Sequence, residues 1–184
     1  EGASISDAAF ADSGATVAAS RSEALSGADI VLKVQRPLTE SEGGDGLADV
    51  PDGAILIGLQ NPYGDPGGVE AYAKRNITAF SMEMLPRISR AQSMDVLSSQ
   101  SNLTGYKAVI DGAANYGRGM PMLMTAAGRI NPAKVFVMGA GVAGLQAVAT
   151  ARRMGAIVSA TDVRMAAKEE VESLGASFVM VQPE

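Results

Sequence analysis

Along residues 1–85, short apolar runs alternate with polar stretches marked by glycine and proline. The runs "DIVLKV" (29–34), "GAILIGL" (53–59) and "ITAFSM" (77–82) are bounded by turn formers, which predicts three strands. "SISDAAFADSG" offers Ser4 or Ser6 as an N-cap and Gly14 as a stop, and "RSEALSGA" repeats that design with Gly27 at its end. Two short helices are therefore expected. "NPYGDPGG" reads as a loop and "GVEAYAKR" as a helix. A strand–helix–strand rhythm at this spacing predicts a parallel α/β sheet. The acidic stretch 39–53 reads as a loop or loop-helix whose charges are solvated.

The rhythm breaks at residue 86. For about thirty residues no strand pattern occurs. Met94, Leu97, Leu103, Val109 and Ile110 recur at roughly helical spacing, which predicts one long helix despite Gly105. "RGMPMLMTAAGRINPAK" follows as a connector broken by Pro121, Gly128 and Pro132. Its three methionines suit packing or a hinge, for which Met is an adaptable filler, better than a partner surface. The expected organisation is a partial first α/β domain over 1–90, a linking helix and connector over 91–134, and a second domain over 135–184.

The second domain opens on "KVFVMGAGVAGLQAVATARRMGAIVSATDVR". A strand runs into Gly139, Gly141 and Gly144, spaced GxGxxG, and then into a helix and a second strand ending at Asp162. Gly139 allows the tight turn, Gly141 lets a pyrophosphate approach the backbone, and Gly144 lets the helix lie against the strand. The helix start offers unpaired N–H groups and a positive dipole end to phosphates. A carboxylate at Asp162 suits both hydroxyls of an adenosine ribose and repels a 2′-phosphate, so NAD is expected rather than NADP. Arg164, two residues on, tempers that preference because a guanidinium accepts a phosphate. With strands expected at 135–138, 157–161 and 177–181, the second domain holds one mononucleotide half.

Composition narrows the chemistry. A hydrophobic content of 47% is enough for a sizeable core, and a net charge of −5 argues against a nucleic-acid partner. No run of apolar residues is long enough to span a bilayer, so no transmembrane segment is expected. The chain has no cysteine and no histidine, which removes the commonest metal ligands and the commonest acid–base catalyst, and no metal site is expected. A second polar cluster, "PRISRAQSMDVLSSQSN" (86–102), carries Arg87, Arg90, Gln92 and Asp95. On composition it is either a functional loop or a capped helix start with an Arg–Asp pair, and Asp95 lies where a helix favours a carboxylate.

Three stretches together resemble the NAD(H)-binding component of the proton-translocating nicotinamide nucleotide transhydrogenase α subunit. They are "PRISRAQSMDVLSSQSNLTGYKAVIDGA", "MTAAG" and the segment from "MGAGVAGLQ" to "KEEVESLGASF". The fold is shared with alanine dehydrogenase. The resemblance implies two Rossmann-like parallel-sheet domains, both incomplete here and joined by the long helix, with NAD(H) in the cleft between them. It implies hydride transfer to NADP(H) on a partner component, coupled to proton movement by a membrane-embedded component. It also implies a homodimer, peripheral on the cytoplasmic face of the bacterial inner membrane or the mitochondrial matrix side. Carried over by position, the nicotinamide-side loop matches Arg87, Ile88, Ser89, Gln92 and Asp95, with Ser98 one turn beyond. Arg87, Gln92 and Asp95 would act on hydride transfer. The adenine side matches Val142 and Asp162, Val163 and Arg164.

Departures accompany the likeness. Members of the family begin with further strands and continue past "SFVMVQPE", so the chain is expected to be a fragment or truncated product of a longer subunit. "NPYGDPGG" also differs from the family's segment at that place. An alanine dehydrogenase is the enzymatic alternative, and a non-catalytic NAD-binding protein the other. Lys33 could match the substrate lysine of alanine dehydrogenases, but this chain has no histidine to match theirs. Hydride transfer between two nicotinamides needs no proton-transfer residue, unlike oxidation of an amino acid.

Overall fold

The computed structural model describes residues 4–39, 42–44 and 46–180. The chain divides into two compact units, Glu1–Asp95 and Val96–Glu184. In the first, helices α1 (Asp7–Asp12) and α2 (Arg21–Leu25) precede strand β1 (Ile30–Gln35) and strand β2 (Ile55–Leu59). Helix α3 (Pro66–Lys74) and strand β3 (Thr78–Ser81) follow. The strands form a parallel sheet in the order β1-β2-β3, as the rhythm of the sequence predicts. Of the two candidate caps for α1, Ser6 takes the role, its hydroxyl accepting the Ala9 N–H. Ser20 caps α2 by accepting the Glu23 N–H.

Helix α3 begins earlier than the expected start at Gly68. Asp65 caps it by accepting the Gly68 N–H, and Pro66 occupies the first turn, where its missing N–H costs nothing. Half of "NPYGDPGG" is thus a helix start. The core of this unit gathers Val31, Val50, Ala54, Leu56, Tyr72 and Ile77. Arg75 ties the loop before β2 to the end of α3 by donating to the carbonyls of Leu47 and Val50 and to Asp52. Within the acidic stretch, Glu42 pairs with the Arg36 guanidinium and accepts hydrogen bonds from Thr39, so its charge is not merely solvated. Residues 40, 41 and 45 of that stretch lie outside the described residues.

The expected long helix is present, but it starts beyond Met94. Ser89–Met94 is a 3-10 helix, and helix α4 (Val96–Asn115) starts only after Asp95 leaves helical geometry with ψ 88. The connector is not irregular either. Strands β4 (Leu123–Thr125) and β5 (Gly128–Ile130) pair as an antiparallel hairpin. Met120 is buried as expected of a filler, whereas Met122, just before the hairpin, and Met124, on β4, are 53% and 71% exposed. The packing reading holds for one methionine of the three.

The rest of the second unit is strand β6 (Lys134–Met138), helix α5 (Val142–Arg153), strand β7 (Ile157–Thr161), helix α6 (Ala167–Ser173) and strand β8 (Ser177–Phe178). The three strands are parallel in the order β6-β7-β8. The expected strand at 177–181 is shorter, and its last residue lies outside the described residues. Ala140, Val148, Ala151, Val158, Ala160, Ala167 and Val171 make the core, with Val109 and Ala113 of α4 packed against it. Helix α4 therefore belongs to this unit by its packing. Phe136, Met138 and Ile157 remain exposed on the sheet, and a groove of about 420 Å³ runs between α4 and β6. No helix among the described residues is long and apolar enough to cross a membrane.

Gly105 explains itself in this packing. It is the buried residue of α4, and a Cβ there would press into the backbone of Ala143, carbonyl oxygen included. At Gly112, on the same helix, a Cβ would meet nothing within 4 Å. Opposite outcomes are expected from one substitution. Gly105→Ala lowers stability by about 1–3 kcal/mol through overpacking, although alanine is the better helix former. Gly112→Ala raises it by up to about 1 kcal/mol. Urea melts of both variants in the full-length chain check this, and equal effects would contradict the close α4–α5 approach.

Candidate functional site

Strand β6 ends at Met138, and the chain reverses into α5 through Gly139, Ala140 and Gly141. Gly139 takes φ +93, the left-handed region that costs glycine least, and its N–H donates to the Thr161 carbonyl at 2.8 Å. Gly141 occupies the N-cap position in extended conformation, and no side chain caps the helix. The first N–H groups of α5, at Val142, Ala143 and Gly144, thus have no partner within the helix. A Cβ on Gly141 would meet nothing within 4 Å, whereas one on Gly144 would press into the Gly139 carbonyl. Gly144 holds the helix against the turn, and Gly141 leaves open space in front of it.

Asp162 closes the site from the end of β7. Its side chain is only 7% exposed. Oδ2 accepts the Ala140 N–H at 2.7 Å, and Oδ1 accepts the Arg164 N–H at 2.8 Å. The Arg164 guanidinium donates from Nε to Oδ1 at 3.0 Å and from Nη2 to Oδ2 at 3.2 Å. The Arg164 side chain, followed by its N–H and that of Ala140, holds the Asp162 carboxyl far below the usual carboxylate range. Asp162 in turn raises Arg164. A lowered carboxyl contributes stability above its unfolded value and loses it only as pH falls through the folded one. At neutral pH the Ala140 N–H therefore donates to an ionised carboxylate.

The structure brings Gly139, Gly141, Val142, Gly144, Asp162 and Arg164 together at one end of the second sheet. Val142 is half-exposed and Val163 fully exposed beside the carboxylate, so both offer apolar surface there. Two contributors escape sequence reasoning. The Ala140 N–H is a backbone donor with no residue-type signal, and the Thr161 hydroxyl is buried without a partner. The loop candidates divide between the units. Arg87, Ile88, Ser89 and Gln92 are exposed on the first unit, with buried Ala91 anchoring the 3-10 turn. Asp95 directly precedes α4, the position of an N-cap, and Ser98 lies half-buried in the first turn of α4 in the second unit. Lys33 is half-buried in β1.

A helix start with free N–H groups and open space can hold an anion such as a phosphate. A shielded carboxylate next to it can accept a pair of hydroxyls. Comparisons with known proteins place the chain in a family. The chain is 58% identical over 183 residues to an NAD(P) transhydrogenase subunit alpha polypeptide of Rhodospirillum rubrum, covering 100% of this chain and 48% of that protein. It is 28% identical to the alanine dehydrogenase of Mycobacterium tuberculosis over 97% of its own length and 46% of the other's. Among solved structures, a transhydrogenase from Sinorhizobium meliloti superposes with a TM-score of 0.90 at 54% identity, covering 97% of this chain and 52% of that one. The chain spans about half the length of the curated relatives it matches. The alanine dehydrogenase/PNT N-terminal domain matches residues 1–104 and the C-terminal domain of the same family residues 108–184, so the chain belongs to the alanine dehydrogenase/PNT family.

Proposed function

We propose that this chain is the NAD(H)-binding part of a proton-translocating transhydrogenase. In this reading hydride passes between NAD(H) here and NADP(H) on a partner component, and a membrane-embedded component couples the transfer to proton movement. The protein works as a homodimer, peripheral on the cytoplasmic or matrix face of the membrane. The observation that carries the reading is the glycine turn closed by Asp162, in a chain 58% identical to a transhydrogenase subunit and only 28% identical to an alanine dehydrogenase.

The residues present fit the cofactor. The space in front of Gly141 admits a pyrophosphate to the N–H groups of Val142, Ala143 and Gly144, where the helix dipole favours negative charge. Asp162 faces the adenosine ribose, and Val142 and Val163 offer apolar contact to the adenine. When bound, NAD(H) supplies the transferable hydride. The chain's own task is then placement. Arg87, Ile88, Ser89, Gln92, Asp95 and Ser98 orient the nicotinamide end and exclude water, and no acid or base is needed for a hydride alone. Misplacement of about 1 Å costs on the order of a hundredfold in rate.

Two outcomes are expected in the full-length chain. Asp162→Asn weakens NADH binding by about tenfold to a hundredfold, the span for hydrogen bonds to a charged group, and narrows discrimination against NADPH. Fluorescence titration with both nucleotides measures this, and unchanged affinities would remove Asp162 from the ribose site. Gln92→Asn shortens one exposed side chain by a methylene. Hydride transfer with the NADP(H)-binding component then falls on the order of a hundredfold, with NADH affinity altered by less than about tenfold. Stopped-flow rates and a melting curve on the same protein decide the matter. A lowered melting point with a normal rate would leave 86–98 as a scaffold.

A further inference from the structure

The Asp162 carboxylate has no acceptor site to spare. Each oxygen offers two lone pairs, and four donors fill them: the Ala140 N–H and Arg164 Nη2 on Oδ2, and the Arg164 N–H and Nε on Oδ1. The four donors are not alike. The two amides belong to the backbone and persist whatever side chain stands at 164. The guanidinium is held on a side chain 61% exposed, also reaching the Ala140 carbonyl at 3.4 Å, and nothing buries it in place.

A guanidinium meets a carboxylate with two parallel N–H bonds. The 2′,3′-diol of a ribose meets one in the same bidentate manner, with two O–H donors on adjacent carbons. We infer that Arg164 is an internal competitor for the ribose diol: its guanidinium occupies the two acceptor sites of Asp162 that the diol takes, and it turns outward as the nucleotide seats. The inference rests on the nucleotide reading of the glycine turn and changes the role of Arg164 within it, from a direct ligand to the residue that sets how tightly a diol must bind. The exchange leaves the carboxylate satisfied in both states, so no buried charge is stranded while the site opens.

Isothermal titration of the full-length chain with ADP and with 2′,3′-dideoxy-ADP tests it. Exposed ion pairs are weak, so removing the competitor in Arg164→Ala tightens ADP by about two- to fivefold. Dideoxy-ADP has no diol to exchange, and its affinity stays the same in both proteins. The wild-type protein gives a second readout that needs no variant. Salt weakens the Asp162–Arg164 pair, so the ratio of ADP to dideoxy-ADP affinity rises with ionic strength, the shared phosphates cancelling. Weaker ADP binding in Arg164→Ala, or an equal change for both nucleotides, would overturn the competitor role and make Arg164 a direct ligand. A falling or constant ratio in the wild type would overturn it as well. Failure of the underlying reading looks different: the wild-type protein would bind the two nucleotides equally, or neither of them.

Discussion

Everything at the candidate site depends on backbone lying against backbone where α5 begins. Gly144 has its Cα against the Gly139 carbonyl, and one layer out Gly105 has its own against Ala143. A methyl group at either place would have to displace main chain rather than a flexible side-chain end. Two glycines therefore set where α5 starts, how it leans on β6 and how α4 crosses it. The direction of the first N–H groups of α5 follows from that packing and needs no capping side chain, since none is present.

Asp162 converts this packing into a site with defined electrostatics. One oxygen takes the N–H of Ala140 inside the turn, so the end of β7 and the loop after β6 are fastened together. Positive partial charge lies on one side of the opening, at the helix start, and a shielded negative charge on the other. A dinucleotide carries the complementary pair, phosphate anion and hydroxyl donors. The Arg164 guanidinium, with the N–H groups of Arg164 and Ala140, holds the carboxyl well below the usual carboxylate range, so the negative charge is present at neutral pH.

Much of this is legible from sequence, for reasons that differ by element. The strands at 30–35, 55–59, 134–138 and 157–161 follow from short apolar runs between turn formers, because burial of a sheet face is written in the local pattern. The glycine turn is readable because each glycine has its own steric task. Reading fails where tertiary contact or competing local chemistry decides. Pro66 reads as loop, although an Asp–Pro pair starts a helix as readily. The break at Asp95 has no hydrophobic signature, and the helical spacing of Met94 and Leu97 runs across it. The β4–β5 hairpin hides in a stretch whose prolines and glycines suggest no structure at all. Gly105 reads as a weak point of its helix and is a contact. Arg164 is legible as a residue beside the glycine turn, but not as one holding Asp162, because that pairing depends on a side chain's orientation.

In the proposed function the nucleotide sits at the glycine turn and at no other surface of the chain. A crystal of the full-length chain soaked with NADH tests it most directly. Pyrophosphate density is expected at the N–H groups of Val142, Ala143 and Gly144, with the adenosine ribose within hydrogen-bonding distance of Asp162. Nucleotide density at any other surface, with Gly141 facing only solvent, would contradict it.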